Sequence, residues 1–114
     1  MPLMSEVVRN NTAASQFEIF LDDKRVGLLR YVDNAPRTDS SQRIMFHTEI
    51  DEAYGGQGLA GALVRQALEA TRLEGFAVVA VCPYVKKFAS ARPEYADLVV
   101  PASADALSLI KRGA

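Results

Sequence analysis

Residues 55–68, Gly55-Gly56-Gln57-Gly58-Leu59-Ala60-Gly61-Ala62-Leu63-Val64-Arg65-Gln66-Ala67-Leu68, decide how this chain is read, because a glycine cluster opens there onto a strongly helical run. From Leu59 to about Glu74, the residues Leu59, Leu63, Val64, Ala67, Leu68 and Thr71 recur along one helical face. Arg65, Gln66, Glu69 and Arg72 line the other, and Gly75 stands where a helix C-cap belongs. A helix N-terminus presents unpaired N–H donors and the positive end of the macrodipole. Glycines at that point strip away side chains, so an anion can approach the backbone closely. The physical reading is a phosphate or pyrophosphate cradle, with donors at the N–H groups around Gln57, Gly58, Leu59 and Ala60. A Walker-type loop is set aside because Leu59 and Ala60 follow Gly58 in place of Lys and Ser/Thr. The bland alternative is a plain strand-to-helix turn.

The flanking chain supplies a sheet. Residues 17–21 (FEIFL) and 26–32 (VGLLRYV) read as a hairpin around the charged turn Asp22-Asp23-Lys24-Arg25. Val7-Val8 fits a short edge strand, and residues 33–41 collect turn formers. Residues 43–50 form the next strand, with Ile44, Phe46, Thr48 and Ile50 expected on one face and Met45, His47 and Glu49 on the other. After Gly75, residues 76–81 (FAVVAV) read as a strand buried on both sides. A second helix is expected over 84–91, closed by Pro93, and weak helical periodicity marks 103–111. Phe17, Ile19, Leu28, Phe46, Leu63 and Leu68 are the expected core. The whole is a mixed α/β domain of the α+β type, with antiparallel strands leading into the glycine-gated helix. Those antiparallel strands do not suit a dinucleotide-binding βαβ frame.

Composition narrows the function. The chain has 114 residues, enough for one domain, and a formal charge of −1, which argues against nucleic acid as its main partner. One Cys, Cys82, and one His, His47, exclude an internal disulfide and make a structural metal site unexpected. Neither a signal peptide nor a membrane-length apolar run is evident, so a cytoplasmic setting is the default expectation and no membrane partner is expected.

The stretch 44–68 resembles the acetyl-CoA-binding motif of the GNAT superfamily of N-acetyltransferases, written Gln/Arg-x-x-Gly-x-Gly/Ala, which Gly55-Gly56-Gln57-Gly58-Leu59-Ala60 fills here. Gly55 departs from the pattern, since the family has Arg or Gln there. That substitution leaves more of the pyrophosphate to the backbone. HTEID before the turn, with CPYVKKF and PEYADLV after the buried strand, is similar to a subgroup of unusually small members, and the resemblance covers 17–99. The subgroup often carries His where this chain has Arg92.

The resemblance implies a single domain over 1–114, with a mostly antiparallel sheet splayed at the acetyl-CoA site. It implies an acetyl-CoA-dependent N-acetyltransferase acting on a primary amine of a protein or small molecule. The cofactor site would comprise Ile50, Gly55, Gly56, Gln57, Gly58, Leu59 and Ala60, with Lys86, Lys87 and Ser90 toward the adenosine 3′-phosphate. Acetyl transfer needs a route for the amine proton, donors for the oxyanion and stabilisation of the leaving thiolate. His47 and Glu49, together on one strand face, suit a proton relay; their alternatives are packing and a solvated charge. Cys82 precedes a helix start, a position that lowers a thiol's pKa. It is therefore either an acetyl carrier, a wall of the site, or an inert buried thiol. Tyr84, with Tyr95 second, is the candidate to protonate the thiolate; the family's usual position falls at Phe88. The family's N-terminal acceptor-shaping helices have no counterpart, which implies an open acceptor side. The competing readings are a CoA-binding module without catalysis and an interaction domain whose glycine turn binds no anion.

Overall fold

The computed structural model describes residues 6–34, 41–102 and 107–108. Six strands form one sheet in sequence order: β1 (Glu6–Asn11), β2 (Gln16–Leu21), β3 (Lys24–Asn34), β4 (Gln42–Ile50), β5 (Ala77–Ala80) and β6 (Val99–Val100). β1 to β4 pair antiparallel, whereas β4–β5 and β5–β6 pair parallel. α1 (Leu59–Leu73) makes the crossover from β4 to β5, and α2 (Pro83–Ser90) follows β5. The expected α+β architecture is therefore present, with the expected elements, and β6 is an addition that a two-residue strand could not announce.

Local chemistry explains the turns. Asp22 and Asp23 sit at φ 47° and 73°, the left-handed pair that a two-residue hairpin with right-handed twist requires. Aspartate tolerates that region through local hydrogen bonding. α1 ends in a Schellman closure, with Gly75 N–H donating to the Arg72 carbonyl and Phe76 N–H to that of Thr71. Gly75 supplies the left-handed residue, at φ 79°.

Both helices pack on one face of the sheet. There Phe17, Ile19, Val26, Leu29, Tyr31 and Met45 meet Leu63, Val64 and Leu68 of α1 and Val85 of α2. β5 is buried on both sides, as expected of a parallel strand: Val78 joins this core, and Val79 packs with Ile44 on the opposite face.

The expected alternation along β4 fails at one residue. Arg30 pairs with His47 and Tyr31 with Met45, so Phe46 is left over as a β-bulge. The extra residue resets the pleat. Met45 joins Thr48 and Ile50 on the helix side, while His47 and Glu49 face away on what we term the open face. Phe46 and Leu28, expected in the core, are instead half-buried on that open face, with the Arg30 guanidinium 5.9 Å from the Phe46 ring centroid. Of the helix expected over 103–111, Leu107 and Ser108 are helical and the remainder lies outside the described residues.

Buried Arg43 ties the far end together. Its guanidinium forms two bonds to Asp33 and two to Glu74, with the Tyr31 and Phe76 rings stacked 4.4 and 4.6 Å away. Burial opposes its charge, but the bonds to Asp33 and Glu74 prevail and raise its pKa, so the cation is permanent.

Candidate functional site

A gap opens between β4 and β5. The two strands pair only from Gln42↔Ala77 to Met45↔Ala80. Val81 N–H and Cys82 N–H then both donate to the Met45 carbonyl, each at 3.0 Å, which ends the ladder. Pro83 turns the chain into α2 at its first helical position, where its fixed φ suits the helix and its missing N–H costs nothing. His47 to Ile50 consequently pair with β3 on one side only. Cys82 sits at the apex of this wedge as the N-cap of α2. Its side chain is buried in the main core, with Sγ 3.5 Å from Thr48 Oγ1.

From the open end of the gap the chain passes through a 3-10 turn, Glu52–Tyr54, into the glycine cluster. Gly56 and Gly58 adopt φ 80° and 76°, and a Cβ built on either would meet nothing within 4 Å. These glycines are thus demanded by backbone conformation, and the space before them is free. Gly58 is the N-cap of α1 and no side chain caps the helix. Its carbonyl accepts from Ala62 N–H at 3.2 Å, so the helix itself leaves the Leu59, Ala60 and Gly61 N–H groups without partners. Ile50, Tyr54, Gly55, Gly56, Gly58, Leu59, Ala60 and Tyr84 enclose a groove of about 330 Å³ around them. Seven of these eight were expected at the site from the sequence; Tyr54 was not. Gln57, the remaining residue of the loop, is exposed and outside the lining.

A second groove, of about 390 Å³, continues between α1 and α2 and shares Gly58 and Tyr84 with the first. Gly61, Lys87, Phe88, Ala91 and Arg92 complete it. Tyr84 and Phe88 stack at 6.5 Å, and Arg92 lies over the Phe88 ring at 3.6 Å. Of the residues assigned by resemblance to a 3′-phosphate, Lys87 lines this groove. Lys86 is exposed outside it, and Ser90 Oγ donates to the Lys86 and Lys87 carbonyls of its own helix. Arg92, a departure from the small-member pattern, is the second cation here.

The candidate proton-relay pair is assembled on the open face. His47 Nε2 and Glu49 Oε2 are 3.2 Å apart, with side chains about half exposed at 49% and 58%. They stand on the segment of β4 that borders the gap. Tyr95 is elsewhere: it is fully buried, packs on Phe88, and donates from its hydroxyl to Glu69 Oε2 at 3.0 Å. Burial and the adjacent Glu69 carboxylate both push its pKa up, which leaves it a neutral core residue.

Sequence reasoning missed Thr48, Gly27 and Gly61. Thr48 required knowledge of the bulge. Gly27 lets β3 approach the end of β4, since a Cβ there would come within 2.8 Å of the Glu49 carbonyl oxygen. Gly61 brings the Tyr84 hydroxyl and the Phe88 ring against the first turn of α1, 3.7 and 3.6 Å from where its Cβ would stand. Its place at the third helical position was the available signal.

The sequence profile of the GCN5-related N-acetyl-transferase family matches residues 16–98. The chain belongs to that family. Among solved structures, it is similar to a ribosomal-protein-alanine N-acetyltransferase from Brucella melitensis biovar Abortus 2308, with a TM-score of 0.54 and 20% identity over 77% of this chain and 62% of that one. It is also similar to an aminoglycoside acetyltransferase from an uncultured soil metagenomic sample, solved with sisomicin, with a TM-score of 0.52 and 15% identity over 85% of this chain and 54% of that one. Identities this low show a shared fold. The chain spans between about half and two-thirds of the length of these relatives. No curated protein matches the sequence. No helix among the described residues is long and apolar enough to cross a membrane, and no cluster of metal-ligating side chains occurs among them.

Proposed function

We propose that the chain transfers the acetyl group of acetyl-CoA to an amine. The observation that carries this reading is the uncapped N-terminus of α1, opening through Gly56 and Gly58 into free space beside the β4–β5 gap. Acetyl-CoA supplies an activated thioester. The Leu59, Ala60 and Gly61 N–H groups bind its pyrophosphate, aided by the positive end of the helix macrodipole. Ile50 and the one-sided edge of β4 guide the extended arm toward the gap. Lys87, Arg92 and the Tyr84–Phe88 rings take the nucleotide end. The Gly55 position contributes no side chain, so the backbone carries the anion.

At the gap, the acceptor amine attacks directly: an N–C bond forms, the C–S bond breaks, and its electron pair leaves with sulfur. Glu49 and His47 pass the amine proton to solvent, and solvent protonates the thiolate, because the Tyr84 hydroxyl lies against Gly61 at the pyrophosphate end. Direct attack is favoured over a covalent relay because Cys82 is 5% exposed and packed in the core. The test is acetyl-CoA-dependent stabilisation followed by acetylation of a broad amine panel. Stabilisation without turnover of any amine supports a non-catalytic CoA-binding module, and no stabilisation at millimolar acetyl-CoA refutes the cradle. Cys82→Ala should keep the wild-type rate, and an acetyl adduct on Cys82 by mass spectrometry would overturn direct transfer.

A further inference from the structure

A third cavity, of about 410 Å³, shares no lining residue with the grooves described above. Its walls are the β1–β2 turn at Ala13–Ser15, β3 from Arg30 to Asp33, and Phe46. Tyr31 N–H donates to the Ser15 carbonyl at 3.0 Å, which folds the turn onto β3 and closes one side. Two charged side chains line it. Asp33 is spent, since both of its oxygens accept from buried Arg43. Arg30 is exposed, and no carboxylate among the described residues pairs with it. Two carboxylates stand diagonal to Arg30 on this face: Glu18, which already accepts from Gln16, Asn11 and Arg25, and Glu49, whose Oε2 lies 3.2 Å from His47 Nε2. The cavity therefore presents one uncompensated guanidinium above an aromatic floor.

Its position connects it to the gap. Arg30 is the cross-strand partner of His47, so their Cβ atoms stand about 4.5–5.5 Å apart. Phe46 is the first β4 residue beyond the segment paired with β5. An acceptor whose amine meets His47 and Glu49 at the gap extends over Phe46 toward Arg30. We infer that this cavity is the acceptor's second subsite and that the acceptor is an amine bearing its own carboxylate, which Arg30 binds. The inference rests on reading the gap as the site of acetyl transfer. Guanidinium–carboxylate pairing suits it, because the planar fork of donors matches the two oxygens.

The experiment compares α-, β- and γ-amino acids with their amides, in wild type, Arg30→Glu and Arg30→Ala, with acetyl-CoA stabilisation measured on each protein. Wild type should acetylate at least one acid with a KM about 10- to 150-fold below that of its amide, the range of a hydrogen bond to a charged partner. Arg30→Glu and Arg30→Ala should both erase that preference while the acetyl-CoA response stays unchanged. Amide spectra of wild type titrated with β-alanine and with β-alaninamide provide a readout independent of turnover, with shifts expected at Ser15, Arg30 and Phe46 for the acid alone. Equal KM values for acid and amide, the same preference in Arg30→Glu, or no acid-specific shift in a protein that acetyl-CoA stabilises would overturn the subsite alone. Acid-specific shifts in a protein that acetyl-CoA fails to stabilise would uphold the carboxylate site and sink acetyl transfer.

Discussion

Replacing Gly58 with Ala separates the cost of a strained backbone from the loss of an anion site. Gly58 lies at φ 76°, and a methyl group there touches nothing within 4 Å, so the folded protein pays only for left-handed backbone. That cost is about 1–2 kcal/mol, or about 4–8 °C in Tm at about 4 °C per kcal/mol for a domain of this size. Gly75 provides an internal control at the other end of α1, with φ 79° and equally free space around its Cβ position. Gly75→Ala should lose the same stability. The two variants should differ only with ligand. Acetyl-CoA at 100 times its Kd stabilises wild type by about 2.7 kcal/mol, and Gly75→Ala should gain as much. Gly58 lines the groove together with Leu59 and Ala60, so an added methyl group should crowd an anion bound there. A tenfold loss of affinity would cut the gain to about 1.4 kcal/mol. Thermal unfolding of the three proteins with and without acetyl-CoA reads this directly. Equal ligand gains in the two variants would refute the pyrophosphate cradle, however large the loss of basal stability.

Other consequences are as direct. Arg43→Met should destabilise the protein by about 3 kcal/mol in urea unfolding with an unchanged m value, the lower end for breaking a buried ion pair, because Asp33 and Glu74 are 38% and 41% exposed and can rehydrate. A loss below about 1 kcal/mol would show that the cluster contributes little. Burial pushes the Glu18 carboxyl up, but hydrogen bonds from Gln16, Asn11 and Arg25 outweigh it and hold its pKa below the usual value. A depressed folded-state pKa gives stability that is present above the ordinary carboxylate range and is lost as pH falls through the folded value. Glu18→Gln should therefore flatten the acid limb of a stability–pH curve, and an unchanged limb would discount these bonds. Glu49→Gln should lower kcat/KM for amine acetylation by about 10²-fold while acetyl-CoA stabilisation persists; an unaltered rate would remove Glu49 from proton transfer.

Much of this protein is legible in its sequence wherever the deciding interactions are local. The 3.6-residue period of α1, Gly75 at its C-terminus, the aspartate pair of the hairpin turn and the left-handed glycines at 56 and 58 all answer to backbone preferences of their own segments. The glycine gate could be placed for that reason before any strand was paired. The family's glycine pattern points to the same residues, and the family profile matches residues 16–98.

What the chain could not state locally was the count of residues on facing strands. Phe46 looks like an ordinary alternating residue until β3 is laid beside β4 and one position is left over. That single surplus residue moves Met45 into the core, turns His47 and Glu49 to the open face and brings Thr48 beside Cys82. Similarly, Arg43 reads as a polar strand residue until Asp33 and Glu74 converge on it across the fold. Tyr95 and Cys82, plausible as chemical groups in sequence, are placed in the core by contacts with elements distant along the chain. The sequence by itself determined the helix, its glycine gate and the positions of β2 to β5 along the chain, because each follows from torsional preference and periodicity within a few residues. Tertiary structure alone decided the bulge, the gap and which side chains border it, because register and burial exist only between segments.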